Sequence, residues 1–163
     1  MTESTSTGEF SLANLLPFEA VSAKVEAADW REAVTASGDL LVSTGSTTPQ
    51  YTQQMIAALE RLGPYIVVAP GFALAHAQAS DDVLRTGMSF VQLAEPVAFG
   101  HKKNDPVRIV VGLASKDHSA HMAALKELSQ FMVSKEKMDE LATAESKEAL
   151  AELLGIKKQE RES

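Results

Sequence analysis

Residues 62–91 read LGPYIVVAPGFALAHAQASDDVLRTGMSFV. Two apolar runs bracket a single histidine. Tyr65 to Ala69 (YIVVA) and Met88 to Leu93 (MSFVQL) are rich in β-branched and aromatic residues and predict two short strands. Pro70-Gly71 breaks regular structure between them. Small residues then lead to the histidine, Ala73-Leu74-Ala75-His76-Ala77, followed by Asp81-Asp82 and Thr86-Gly87. A histidine with alanine on both sides has an open flank that a bulky partner can reach.

Outward from this stretch, the pattern alternates. Upstream, Phe10 to Phe18 predicts a short helix ended near Pro17, and Lys24 to Ala27 a short edge strand. Asp29 is a candidate N-cap with Glu32 at the third helical position, a capping box, and the helix it opens runs towards Gly45. Thr48 and Pro49 predict the start of a second helix, with Tyr51, Met55, Ala58, Leu59 and Leu62 inward and Gly63-Pro64 as the stop. Downstream, Glu95-Pro96 predicts a turn, Val97 to Phe99 a brief strand and Gly100 to Pro106 a polar loop. Val107 to Ala114 (VRIVVGLA) is the longest β-like run and belongs in the middle of a sheet. Ser115 to Ala120 predicts a polar turn before an amphipathic helix from His121 to Met132, with Met122, Leu125, Leu128, Phe131 and Met132 on one face. Ser134 and Ser146 cap two terminal helices, the second closed by Gly155. The fold class is α/β: one mixed sheet flanked by helices in a single domain. Ligand sites in such sheets lie at strand ends, and the loops carrying His76 and His121 can open at one rim.

The whole chain sets limits. Its 163 residues suffice for one domain with a full core, and 45% apolar with 23% charged residues is ordinary for a soluble protein. A net charge of −7 disfavours nucleic acid and anionic membrane as partners. No cysteine is present, which excludes disulfides, thiol nucleophiles and thiolate-bound metals. No apolar run approaches the ~18–20 residues of a membrane span. The N-terminal MTESTSTGEF has neither the basic nor the apolar part of a signal peptide, so we read a cytoplasmic protein.

Of the four histidines, His101 in HKKND and His118 in the polar turn read as solvated. His118, His121 and His76 have a workable metal spacing, but no HExxH or similar motif accompanies them, and we read no metal site. GxSxG, GxGxxG and GxxxxGK[ST] are absent, which removes a serine hydrolase and nucleotide-loop chemistry. Two readings stay open for His76: a structural histidine hydrogen-bonded to backbone, as in a plain binding module, or nucleophilic use of its neutral imidazole. The imidazole can attack phosphorus and hold a phosphoryl group as a phosphoramidate. The negative oxygens would need donors, and His121 is the natural one. A donor that is itself a phosphohistidine needs no nucleotide site.

The run GPYIVVAPGFALAH (63–76), with TGMSFVQL at 86–93, Asn104-Asp105-Pro106-Val107 and His121, resembles the enzyme IIA components of the bacterial phosphoenolpyruvate-dependent sugar phosphotransferase system. It is similar to the mannitol/fructose superfamily and most like its ascorbate-type branch. The resemblance spans residues 10–156 as one enzyme IIA type 2 domain, between a disordered tail of residues 1–9 and a charged tail of residues 157–163. It implies that His76 is phosphorylated by the phosphocarrier protein HPr and passes the group to a cognate enzyme IIB for uptake of ascorbate or a related sugar. His121 is implied to hydrogen-bond the phosphoryl group. No metal or diffusible cofactor is implied. Two positions depart from the family. Ala75 stands where proline usually precedes the histidine, which should loosen the loop. Ala58 stands near the mannitol-type arginine, for which Arg61, one turn later, is the candidate substitute. An alternative stays open: a regulatory relative in which His76 phosphorylation controls a partner protein. The sugar and the oligomeric state, monomer or homodimer, are not fixed by these residues.

Overall fold

Cap and break residues set the segment boundaries in the computed structural model, which describes residues 12–156. The tails expected at 1–9 and 157–163, and Phe10 with Ser11, lie outside the described residues. Helix α1 (Leu12–Leu15) is followed by a 3-10 turn (Phe18–Ala20) and strand β1 (Val21–Val25). Helix α2 (Trp30–Ser43) starts on the predicted capping box. The Asp29 carboxylate accepts from the Glu32 N–H at 3.0 Å, and the Glu32 carboxylate returns to the Ala28 N–H at 2.8 Å. Helix α3 (Pro49–Leu62) has proline in its first turn and ends at Gly63, whose φ of 86° needs glycine. Strands β2 (Val67–Ala69), β3 (Phe72–Ala75), β4 (Gly87–Val97) and β5 (Val107–Ala114) follow. Helices α4 (His118–Met132), α5 (Lys135–Thr143) and α6 (Lys147–Leu154) close the chain. The Ser134 and Ser146 side chains cap α5 and α6 as expected.

The five strands form one mixed sheet in the order β1-β4-β5-β3-β2. The pairs β1–β4 and β3–β5 are parallel; β4–β5 and β2–β3 are antiparallel. Strand β5 is central, as its unbroken apolar run predicted, and is buried along nearly its whole length. Alternation along the strands makes two cores. Phe72, Leu74, Phe90, Ile109, Val111 and Leu113 face α4, α5 and α6, while Ala73, Ala75, Val91, Val110 and Ala114 face α2 and α3. Helix α2 crosses the sheet closely because Gly112 has no side chain: a Cβ there would sit 2.5 Å from the Ser89 hydroxyl and 3.3 Å from the Ser37 Cβ.

Several boundaries differ from the sequence reading. Strand β1 lies at 21–25 rather than 24–27. Strand β2 begins at Val67, because Pro64 to Ile66 are taken up by a turn. Ala73 to Ala75 are not an irregular approach to the histidine; with Phe72 they form β3. Strand β4 absorbs the expected Glu95-Pro96 turn and ends at Val97, so the brief strand expected at 97–99 is reduced to its first residue. Its register with β5 breaks between Gln92 and Val97, so Pro96 sits where its missing N–H removes no regular rung. Helix α4 starts one turn earlier than His121, because Asp117 caps it by accepting from the Ala120 N–H at 2.8 Å. Met122 and Leu62, expected inward, are 50% and 59% exposed. No helix among the described residues is long and apolar enough to cross a membrane.

Candidate functional site

Because β3 and β5 run parallel, both C-terminal ends reach the same edge of the sheet. His76 follows the last residue of β3. His121 lies in the first turn of α4, which follows β5 after a short loop. Their rings meet with centroids 5.6 Å apart and planes tilted by 57°. Around them opens a cleft of about 750 Å³ lined by Arg61, Tyr65, His76, Ser115, Asp117 and His121, among others. Helix α3 contributes Gln54, Ala57, Ala58, Arg61 and Leu62 to its lining.

The His76 ring is held by its own strand. Its Nδ1 lies 2.8 Å from the Leu74 carbonyl oxygen. A carbonyl only accepts, so Nδ1 carries a proton, and in the neutral ring Nε2 is then the nitrogen with the free electron pair. Tyr65 stands edge-on to the ring, with centroids 5.6 Å apart and an interplanar angle of 79°. Burial raises the Tyr65 phenol above its usual range, opposed by the positive charge of Arg61. His121 Nδ1 lies 3.5 Å from the Ser115 hydroxyl. The small residues beside His76 have different roles. Ala75 is fully buried and paired with Gly112, so the residue before the histidine lies within the strand. Ala77 donates its N–H to the Tyr51 hydroxyl at 2.9 Å.

The loop from Ala77 to Thr86 is tied back to α3. Asp82 accepts from the Thr48 hydroxyl at 2.7 Å and the Gln54 amide at 2.8 Å, and its carbonyl accepts from the Thr48 N–H at 3.0 Å. Thr48 thus precedes the helix without capping it by its side chain. His101 is not among the residues that line this cleft. His101 is not simply solvated: its Nδ1 accepts from the N–H groups of Lys103 and Asn104, at 3.2 and 3.0 Å, and builds its own loop. His118 is the first residue of α4. Tyr65, Ser115, Asp117 and Gln54 were not singled out by sequence reasoning. Only Asp117 carried a readable signal, as a capping residue just before an amphipathic run.

A family model for the phosphoenolpyruvate-dependent sugar phosphotransferase system, EIIA 2, matches residues 14–156. The chain belongs to this EIIA 2 family. The ascorbate-specific EIIA component of Escherichia coli K12 is 32% identical over 137 residues, covering 83% of this chain and 89% of that protein. The solution structure of the mannitol-specific cryptic enzyme IIA of Escherichia coli superposes with a TM-score of 0.80 at 31% identity, covering 88% of this chain and 97% of that one. Escherichia coli enzyme IIAMtl, solved in complex with phosphorylated enzyme IIBMtl, gives a TM-score of 0.75 at 30% identity, covering 84% and 94%. In this EIIA 2 member, the strand-end histidine and the helix-borne histidine therefore sit in a mannitol-type enzyme IIA fold.

Proposed function

We propose that this enzyme IIA accepts a phosphoryl group from phosphorylated HPr on His76 Nε2 and passes it to a cognate enzyme IIB. The observation that carries the reading is the His76 hydrogen bond to the Leu74 carbonyl, which leaves Nε2 as the nucleophilic atom beside His121 in an open cleft. The Nε2 electron pair forms the new N–P bond. As it does, the donor's P–N bond breaks and its electron pair returns to the donor imidazole. Transfer to enzyme IIB repeats the step with His76 as leaving group, and Nδ1–H stays on the Leu74 carbonyl throughout. Little covalent work is asked of the protein, so positioning and charge stabilisation dominate. His121, Ser115, Arg61 and the Tyr65 hydroxyl line the cleft and can face the phosphoryl oxygens. The N-terminus of α4 adds a favourable dipole for negative charge.

Family membership supports the relay, and the phosphorylated enzyme IIB bound to a mannitol-type relative supports the acceptor. The ascorbate-specific relatives favour ascorbate or a related sugar as the transported compound. The direct test mixes the protein with phosphoenolpyruvate, enzyme I and HPr and follows acid-labile, base-stable phosphate by mass spectrometry. One phosphate on His76 is the expected result. Folded protein that takes none, with HPr itself labelled, overturns the relay.

A further inference from the structure

The two strands that carry the site part company at a single hydroxyl. Strands β3 and β5 pair in register from Phe72↔Ile109 to Ala75↔Gly112. The Gly71 carbonyl accepts from the Ile109 N–H at 3.1 Å, which fixes the phase of the ladder. In a parallel pair the bonds recur at every second residue. In that phase the next rung beyond Ala75 would run from the Ala77 N–H to the Leu113 carbonyl. It is not made directly. The Tyr51 hydroxyl occupies the place between them, accepting from the Ala77 N–H at 2.9 Å and donating to the Leu113 carbonyl at 2.8 Å. The Ala77 carbonyl lies farther, at 3.1 Å, and one hydroxyl proton serves the shorter contact first.

We infer that Tyr51 is a positioning residue, a one-atom spacer that holds the ends of β3 and β5 apart and so sets His76 against His121. The inference rests on the phosphoryl-relay reading for its effect on rate. Tyr51 projects from the first turn of α3 and is fully buried, so its hydroxyl cannot swing out to water. Burial pushes its phenol up to about 12, and it keeps the proton it donates. Its two partners are strategic. Ala77 adjoins His76 in the chain, and Leu113 lies two residues before Ser115, which contacts His121. One oxygen therefore fixes the backbone on both sides of the cleft. Without it, Ala77 and Leu113 can close their own rung and draw His76 into the sheet, or stay apart and unpaired.

Tyr51→Phe removes the oxygen and keeps the ring. Two readouts separate positioning from mere packing. In the phosphoryl-transfer assay kcat should fall about tenfold or more, with KM for phosphorylated HPr changed less than about twofold. In nitrogen-15 NMR of the histidine rings, the single Nδ1–H tautomer of His76 should give way to a mixture. Leu150→Val, a core change remote from the cleft, is the control for lost stability and should move neither readout. Wild-type kcat and an unchanged His76 tautomer in Tyr51→Phe overturn the inference. Should that variant not fold, amide exchange in the wild type decides. The Ala77 N–H is protected like a ladder amide if the hydroxyl holds it, and exchange at the rate of a free loop overturns the spacer. If the wild-type protein takes no phosphate, the relay reading fails alone, and ring tautomer with amide exchange still judge Tyr51.

Discussion

The His76 Nδ1 donates to the carbonyl of Leu74, two residues earlier on the same chain, at 2.8 Å. The nucleophile's tautomer is thus set by its own strand and needs no acid to orient it, unlike a histidine held by a carboxylate. Orienting His76 therefore does not call on His121, whose ring lies 5.6 Å away. The two histidines should therefore respond differently to removal. His76→Ala should abolish phosphoryl acceptance. His121→Ala should lower the acceptance rate by about 100-fold, the cost of one lost oxyanion donor, with labelling still detectable. Rapid-quench kinetics with phosphorylated HPr measures both, and equal losses would show that His121 does more than stabilise charge.

Asp82 gathers the Thr48 hydroxyl, the Gln54 amide and, through its carbonyl, the Thr48 N–H. It pins the loop after His76 to the start of α3. Asp82→Ala should cost about 1–2 kcal/mol of stability, since it deletes two side-chain hydrogen bonds, one of them from a half-buried hydroxyl. Urea denaturation reads that loss. Phosphoryl acceptance should fall only severalfold, because the Leu74 and Tyr51 contacts that orient His76 remain.

Much of this architecture was readable because its signals are local. The capping box at Asp29–Glu32, the serine caps at 134 and 146 and the β-branched run 107–114 each announce themselves within a few residues. Strand β3 did not. Phe72 to Ala75 is four residues long and half alanine, a poor strand former, and only pairing with β5 on one side and β2 on the other makes it a strand. The histidine pair was legible through residue type and family pattern. Its setting was not, because Tyr65 and Ser115 line the cleft and Tyr51 holds the Ala77 backbone beside it, from three separate parts of the chain. Leu62 and Met122 show the limit of periodicity: both keep helical spacing yet are largely exposed, Leu62 at the cleft and Met122 beside His121.

Gln92 performs a cap by tertiary contact. Its buried amide lies within hydrogen-bond distance of three carbonyls at the end of α5, those of Leu141 (2.9 Å), Ala142 (3.3 Å) and Ala144 (2.9 Å). Its oxygen accepts from the N–H of Lys24, a residue in the left-handed region at φ 54°. Gln92→Leu fills similar volume and leaves these groups unpaired. The expected loss is about 2–3 kcal/mol, for buried groups without partners. It should appear as a urea midpoint lowered by about 1–2 M. Phosphate labelling of the folded fraction should be unchanged, as these contacts lie away from the His76 cleft.

Tyr51 also predicts how the protein fails in alkali. Its phenol is pushed up from 10.0 to about 12 in the fold, first by burial and partly offset by the Ala77 N–H it accepts. The unfolded chain has the lower value, so between these limits the folded state binds the extra proton. Stability is then fully present below pH 10, falls as pH rises, and is lost towards pH 12. A shift of this size corresponds to about 2–3 kcal/mol, an order-of-magnitude figure. Denaturant titrations from pH 9 to 12 should show the wild type losing that amount more than Tyr51→Phe, which has no phenol to ionise. Parallel slopes for the two proteins would mean that Tyr51 ionises in the fold as readily as in the unfolded chain, and that its hydroxyl is not held where the strands divide.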